Sequence, residues 1–149
     1  MPNWRTPFEQ VPIGKGRMLA EGEEVAVLTI GHIGNYAVAV CENLVKKGIH
    51  IGHYDMRFVK PIDEELLHHV FARYPKVITV EDGCIQGGFG SAVLEFMADH
   101  HYHAAVKRLG IPDTVVQHGE QLELHRECGF DEAGIERSVM AMLEAVHGQ

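Results

Sequence analysis

The sequence predicts a three-layer α/β/α sandwich around a mainly parallel sheet. The runs VAVLTI (25–30) and VITVE (77–81) are apolar and rich in β-branched residues without polar alternation. This pattern is typical of strands that are covered on both faces. Segments with apolar residues at helical spacing separate the runs, and alternating strands and helices favour parallel pairing with right-handed crossovers. With 149 residues, 46% of them hydrophobic, the chain has the size and composition of one domain.

Residues 1–12 are predicted to be a linker, because three prolines stand there among polar residues and disfavour regular structure. The globular domain is predicted over residues 13–149. Within it, the segment GRMLAEG (16–22) is expected to add an antiparallel edge hairpin.

Capping residues set the predicted helix ends. Lys47 lies in the last turn of a helical pattern, and Gly48 after it is the kind of residue that ends a helix. Asp63 is predicted to cap a helix whose first turn carries Glu64 and Glu65, which the helix dipole favours. The predicted elements after the hairpin are a strand over 25–30, a helix over 35–47, a strand over 49–59, a helix after 63, a strand over 77–81, a helix over 91–101, a strand over 104–109 and a helix after 131.

The loop DGCIQGGFG (82–90) follows a strand and precedes a helix, as a phosphate-binding loop does. A dinucleotide fingerprint needs a third glycine, but Val93 stands in that place, and the loop does not belong to the first strand-helix unit. Gly87, Gly88 and Gly90 are therefore predicted to be structural: they permit positive φ and let the helix start close to a neighbouring backbone.

No catalytic or metal-binding residues are predicted. The 11 histidines do not form H-E-x-x-H or another spacing that sets ligands on one helix face. His118 ends an apolar run before Gly119 and is interpreted as a turn residue rather than a catalytic one. Glu81 and Asp82 lack a neighbouring nucleophile in sequence and are interpreted as caps of the following helix rather than as an acid/base pair.

Composition narrows the possible partners. The net charge of −8, with no basic stripe, argues against nucleic-acid binding. No apolar segment approaches the length of a membrane span, and the first residues do not resemble a signal peptide, so a cytoplasmic protein is expected.

Cys41, Cys84 and Cys128 are odd in number and form no C-x-x-C, which indicates reduced thiols.

Six segments together resemble the C-terminal domain of the 1-deoxy-D-xylulose-5-phosphate synthases, a family within the transketolase superfamily. The resemblance covers nearly the whole chain, and GIPD followed by HG and GFDEAGIE is its most specific part. The segments are PIGKGR (12–17), EEVAVLTIGHIGNYAVAVCENL (23–44), RFVKPID (57–63), VITVEDGCIQGGFGSAVLE (77–95), LGIPDTVVQHGE (109–120) and GFDEAGIERSV (129–139).

The resemblance implies a five-stranded sheet with one antiparallel edge strand. It also implies a dimeric parent enzyme of three domains, which uses thiamine diphosphate and Mg²⁺ to join pyruvate to glyceraldehyde 3-phosphate for non-mevalonate isoprenoid synthesis. The other two domains would hold the cofactor. This chain would then lack a cofactor and activity of its own, and would serve assembly. Gly87, Gly88, Gly90, His118 and Gly119 become candidates for contacts with another domain or subunit.

The absence of a thiamine motif agrees with this expectation. Enzymes of the superfamily hold Mg²⁺ and the diphosphate with G-D-G and a later asparagine, because a hard cation prefers oxygen ligands. Here Glu81 precedes the Asp82-Gly83 pair, and every asparagine lies upstream of it.

Two alternatives stay open at this point. A transketolase or the β subunit of a 2-oxoacid dehydrogenase ends in a similar domain, which would make the chain a docking module. A free-standing flavodoxin-like signalling domain would need a phosphorylatable aspartate at a strand end, for which Asp55 and Asp82 are weak candidates.

Overall fold

Five strands, five α-helices and one 3₁₀ turn form the described part of the computed structural model, residues 9–116 and 118–145. In chain order they are β1 (Arg17–Ala20), β2 (Val25–Thr29), the 3₁₀ turn (Gly31–Ile33), α1 (Gly34–Val45), β3 (Gly52–Asp55), α2 (Glu64–Arg73), β4 (Lys76–Cys84), α3 (Phe89–Asp99), β5 (Ala105–Ile111), α4 (Gln121–Glu127) and α5 (Glu132–Glu144).

The strands form one sheet in the order β1-β3-β2-β4-β5. The pairs β2/β3, β2/β4 and β4/β5 are parallel, and β1 pairs with β3 in the antiparallel direction. The predicted fold, mainly parallel with one antiparallel edge strand, is confirmed. Segment 16–22 contributes one strand to the sheet edge instead of a hairpin of its own.

Two apolar cores lie on opposite faces of the sheet, because alternate side chains of each strand point to opposite faces. Helices α1 and α5 cover one face, where Val27, Ile78 and Val80 join the core. Helices α2 and α3 cover the other face, where Leu28 and Val77 join the core. Every residue of β2 is buried, as the continuous apolar run predicted.

Local hydrogen bonds explain the element boundaries. Asp63 Oδ1 accepts from the backbone N–H of Leu66 at 3.1 Å, which confirms the predicted cap of α2. Gly48, just beyond α1, has φ of +76°, the left-handed conformation that favours glycine. None of the helices in the described ranges is long and apolar enough to cross a bilayer.

Most element ends lie within about two residues of the prediction, and the larger differences are in β3, β4 and α4. Strand β3 is shorter than the predicted strand over 49–59, and Arg57 beyond it adopts φ of +59°, outside strand geometry. Strand β4 continues to Cys84, since Cys84 pairs with Ile111 after an irregularity in the register. Helix α4 was not predicted. Most of the predicted linker, residues 1–8, and the last four residues, 146–149, lie outside the described residues.

Candidate functional site

The carboxyl ends of β2 and β4 form the main candidate site of the fold. From β2 the chain crosses to β3 on one side of the sheet and later returns to place β4 on the other side. In open α/β sheets, ligands bind in the crevice at such a reversal of strand order. His32 lies in the 3₁₀ turn just after β2, and Asp82 lies in the last part of β4.

Two histidines and one aspartate meet at this crevice. Asp82 Oδ2 lies 3.4 Å from Nε2 of His125, which belongs to α4, and 3.5 Å from Nε2 of His32. The potential ligand atoms of these three residues all lie within 4.8 Å of one another. The His125 side chain is 4% exposed, whereas the His32 side chain is 56% exposed. The three residues are called the His-Asp-His cluster below.

Aromatic neighbours hold His125 in place. Its Nδ1 lies 3.2 Å from the hydroxyl of Tyr36 in α1, within hydrogen-bond distance. The Tyr36 ring meets the imidazole edge-on with centroids 5.8 Å apart, and the Phe130 ring lies 4.7 Å away on a tilt. Buried aromatic contacts of this kind fix a ring's orientation, so Nε2 of His125 faces Asp82 in a defined direction.

A cavity of about 480 Å³ opens beside the cluster. Its volume is within the usual range for a small-molecule pocket. Two of the predicted contact residues, His118 and Gly119, lie in its wall. The complete lining is Asp82, Ile111, Val116, His118, Gly119, Gln121, Leu124, His125, Cys128 and Phe130.

The glycine loop lies on the other face of the sheet, against α3. Glu81 is 5% exposed, and its two carboxylate oxygens accept from the backbone N–H groups of Phe89 and Gly90, both at 2.8 Å. The interpretation of Glu81 as a cap of the following helix is therefore correct. Asp82 is the next residue along β4, so its side chain points to the opposite face and joins the cluster instead.

Close packing explains two of the three predicted loop glycines. A Cβ atom on Gly88 would lie 2.2 Å from Glu81 Oε2, and one on Gly90 would lie 2.6 Å from Thr79 Oγ1. Positive φ, the other predicted reason, applies only to Gly87, whose φ is +76° and whose surroundings are open. The structure therefore separates the predicted contact residues into a glycine loop on one face and the His118 segment on the other.

The partly buried thiols do not have the properties of activated nucleophiles. Burial raises the pKa of the Cys41 thiol to about 11, and burial also raises the pKa of the Cys128 thiol beside the cavity. A reactive cysteine needs a lowered pKa, so both thiols are protonated at neutral pH.

Sequence reasoning did not find His32 and His125 as partners of Asp82. Each comes from a different element, whereas a motif such as H-E-x-x-H reveals only ligands that lie on one helix face. The available signal was the position of His32 and Asp82 at the ends of two strands that become neighbours at the reversal of strand order.

Comparison with protein families identifies the class of the fold. Residues 14–135 match the family model described as "Transketolase, C-terminal domain". The chain belongs to this family.

Two sequence relatives belong to a single kind of enzyme within this class. The chain is 63% identical over 139 residues to the 1-deoxy-D-xylulose-5-phosphate synthase of Cytophaga hutchinsonii, a match that covers 93% of this chain and 22% of the relative. It is 51% identical over 143 residues to the synthase of Bacteroides thetaiotaomicron, covering 95% of this chain and 22% of that relative. These relatives confirm the predicted resemblance, and the chain spans only about a fifth of their length.

Solved structures support the same fold. A solved structure described as "Split gene transketolase, inactive beta4 tetramer" superposes with a TM-score of 0.84 at 28% identity. The match covers 94% of this chain and 46% of that one. A transketolase of Campylobacter jejuni superposes with a TM-score of 0.61 at 16% identity, covering 86% of this chain and 18% of that one.

Proposed function

We propose that this chain is the C-terminal domain of a 1-deoxy-D-xylulose-5-phosphate synthase and that it serves assembly rather than catalysis. The observation that carries the proposal is the 63% identity to the Cytophaga hutchinsonii synthase over 93% of the chain. The parent enzyme would condense pyruvate with glyceraldehyde 3-phosphate for isoprenoid synthesis in the cytoplasm. Thiamine diphosphate and Mg²⁺ would be bound by its other two domains.

Exposed apolar side chains support a contact role beside His118. Val115 is 97% exposed and Leu122 is 65% exposed, and they flank His118 and Gly119 along the chain. Two large apolar side chains left exposed within one short stretch of chain are a feature that contact with a partner would explain. We assign this surface, made of Val115, His118, Gly119 and Leu122, to a contact with another domain or with the second subunit of a homodimer. It is called the His118 surface below.

The glycine loop has a smaller share in the proposed contact. Gly88 and Gly90 pack against Glu81, Thr79 and Arg108, so their role lies within the domain. Gly87 is exposed, and its backbone N–H donates to Ser91 Oγ at 2.9 Å. Of the three glycines, Gly87 is therefore the one exposed to a partner.

The alternative function is that of a docking module in a transketolase or a 2-oxoacid dehydrogenase β subunit. The similarity to the split-gene transketolase chain favours it, at 28% identity. The synthase relatives share 63% and 51% of residues over a comparable length, so the synthase is the better supported parent.

Hydrogen exchange tests the assembly role. Backbone amides of residues 112–124 should exchange more slowly in the parent enzyme than in the isolated chain, because contact with another domain excludes water from them. Residues 44–50, at the exposed turn after α1, serve as the control segment. Equal exchange of residues 112–124 in both samples would contradict the assignment.

Paired variants of the parent enzyme sharpen the test. Val115→Ser combined with Leu122→Ser should weaken subunit or domain association in sedimentation and lower turnover. Val45→Ser is the matched control, since Val45 is an exposed valine, 51% accessible, at the end of α1 and outside the His118 surface. If the double variant assembles and turns over like the Val45→Ser control, the His118 surface is not an interface.

A further inference from the structure

We propose that His32, Asp82 and His125 bind a divalent transition-metal ion of the Zn²⁺ type. The sequence analysis predicted no metal ligands, and nothing in the proposed assembly role requires one. The proposal rests on the spacing of the ligand atoms, on the hydrogen-bond partner of the buried histidine and on the cavity beside the cluster.

Ligand spacing is the first argument. Nitrogen and oxygen ligands lie about 2.0–2.2 Å from Zn²⁺, so two ligands in a tetrahedral arrangement lie about 3.4 Å apart. Asp82 Oδ2 lies 3.4 Å from His125 Nε2 and 3.5 Å from His32 Nε2. The exposed His32 side chain needs only a small rotation to bring its nitrogen, now within 4.8 Å of the other ligand atoms, to the same spacing.

An ordinary hydrogen-bonded pair fits these distances less well. An N–H···O hydrogen bond spans about 2.7–3.2 Å, shorter than either distance to the carboxylate. The ion-pair contacts of Asp82 within the described ranges involve only the two histidines, without lysine or arginine. In the described part of the chain, His32 Nε2 has one other polar contact, with Gln121 Nε2 at 3.5 Å, and metal binding would replace it. A carboxylate and two imidazole nitrogens that converge at 3.4–3.5 Å, beyond normal hydrogen-bond length from one another, are arranged to share a cation.

The Tyr36 hydroxyl supplies the second argument. Histidines that bind metals commonly use the other ring nitrogen to donate a hydrogen bond, which fixes the tautomer. Tyr36 Oη lies 3.2 Å from His125 Nδ1 and accepts a hydrogen bond in the tautomer that carries the hydrogen on Nδ1. The Nε2 lone pair of His125 then points at the cluster, where a cation next to Asp82 would receive it.

The cavity indicates the kind of site. Two histidines and one carboxylate supply three ligands, a donor set found in catalytic zinc sites that keep an open position. The cavity of about 480 Å³ lies beside Asp82 and His125, and His118 lies in its wall. Water would complete the coordination from that side. The ion would tie the 3₁₀ turn, β4 and α4 together and fix α4 next to the His118 surface.

Metal titration of the untagged 149-residue chain, freed of metal with a chelator, tests the site. Calorimetry with Zn²⁺ should give one ion per chain, and Co²⁺ should give the visible absorption band of a site with nitrogen and oxygen ligands. His32→Gln and Asp82→Asn should each weaken Zn²⁺ binding by more than about 100-fold, since even outer-shell changes cost about 10- to 100-fold. Tyr36→Phe keeps all three ligands and should weaken binding by about 10-fold.

His103→Gln is the matched control, because His103 is an exposed histidine outside the cluster. It should bind Zn²⁺ like the wild type. Circular dichroism of each variant confirms that the fold is kept, and the exposed position of His32 makes His32→Gln the decisive variant. The proposal is overturned if the wild type does not bind one ion saturably. It is equally overturned if His32→Gln binds Zn²⁺ as tightly as His103→Gln.

Discussion

Replacing Gly88 with alanine tests whether the glycine loop is needed for packing. Gly88 caps the N-terminus of α3 with φ of −88° and ψ of −158°, a conformation that alanine also adopts. Any loss of stability must then come from space rather than from backbone strain. An added Cβ would lie 2.2 Å from Glu81 Oε2 and 2.3 Å from the carbonyl oxygen of Cys84. Neither approach is tolerable, so both the Glu81 carboxylate and the backbone at Cys84 must move.

The size of the expected loss of stability follows from the hydrogen bonds that Glu81 accepts. Its oxygens accept hydrogen bonds from the N–H groups of Phe89 and Gly90, both at 2.8 Å, in a buried position. A hydrogen bond to a charged group contributes about 1.5–3 kcal/mol, and crowding in a packed interior adds about 1–3 kcal/mol. We expect Gly88→Ala to lower the free energy of unfolding by about 3 kcal/mol or more. For a chain of this size, that corresponds to a melting temperature roughly 6–12 °C lower.

Thermal and urea unfolding, followed by circular dichroism, measure the effect. Gly87→Ala is the control: its Cβ meets open space, and only the positive φ of +76° costs stability, about 1 kcal/mol. Glu81→Gln should also destabilise the chain. Combined with Gly88→Ala, it should cost less than the sum of the two single changes, because both act on the same carboxylate.

Comparing the stabilities of the two alanine variants distinguishes close packing from backbone conformation. If Gly87→Ala destabilises the chain as much as Gly88→Ala, the loop depends on its backbone conformation and not on close packing. If Gly88→Ala melts like the wild type, the contact between Gly88 and Glu81 does not stabilise the fold.

Two further predictions concern buried polar groups. Burial lowers the pKa of His53 to about 4 from 6.5, and the neutral ring lies 2.9 Å from Thr29 Oγ1. Between these pH values the unfolded state binds the proton and the folded state does not. The contribution of His53 to the free energy of unfolding is therefore fully present above pH 6.5, and about 3 kcal/mol is lost as the pH falls toward 4. His53→Gln should flatten this pH dependence in urea titrations. Asp63→Ala should cost about 2–3 kcal/mol in the same assay. It removes the cap to Leu66 and leaves the Gly16 N–H, which donates to Asp63 at 2.9 Å, unpaired; Asp63→Asn should cost less.

The local pattern was sufficient to predict most of the fold. Strand β2 is a continuous apolar run, and burial on both faces requires this composition. The cap of α2 follows from Asp63 and the acidic residues after it. Helix α4 has only seven residues, among them one histidine and three charged residues, and its position depends on contacts such as that between His125 and Tyr36. Sequence periodicity does not reveal a helix of this kind.

The candidate site was less predictable, because it is assembled from distant segments. The role of Glu81 was predictable, since it lies just before a loop and a helix that needs a cap. The role of Asp82 depends on which elements lie on the other face of β4, and only the folded chain brings His32 and His125 there. The same alternation of side chains explains why the predicted contact residues divide between two faces.

Calorimetry with Mg²⁺ and thiamine diphosphate, together with an assay for 1-deoxy-D-xylulose 5-phosphate, tests whether the isolated chain binds the cofactor or catalyses the reaction. The parent enzyme is the positive control. If this chain is an assembly domain whose parent binds the cofactor elsewhere, the isolated chain gives no binding heat and no product from pyruvate and glyceraldehyde 3-phosphate. Saturable binding of the cofactor in the micromolar range by the isolated chain, or turnover above the blank, would show that the chain is not an assembly domain without catalytic function.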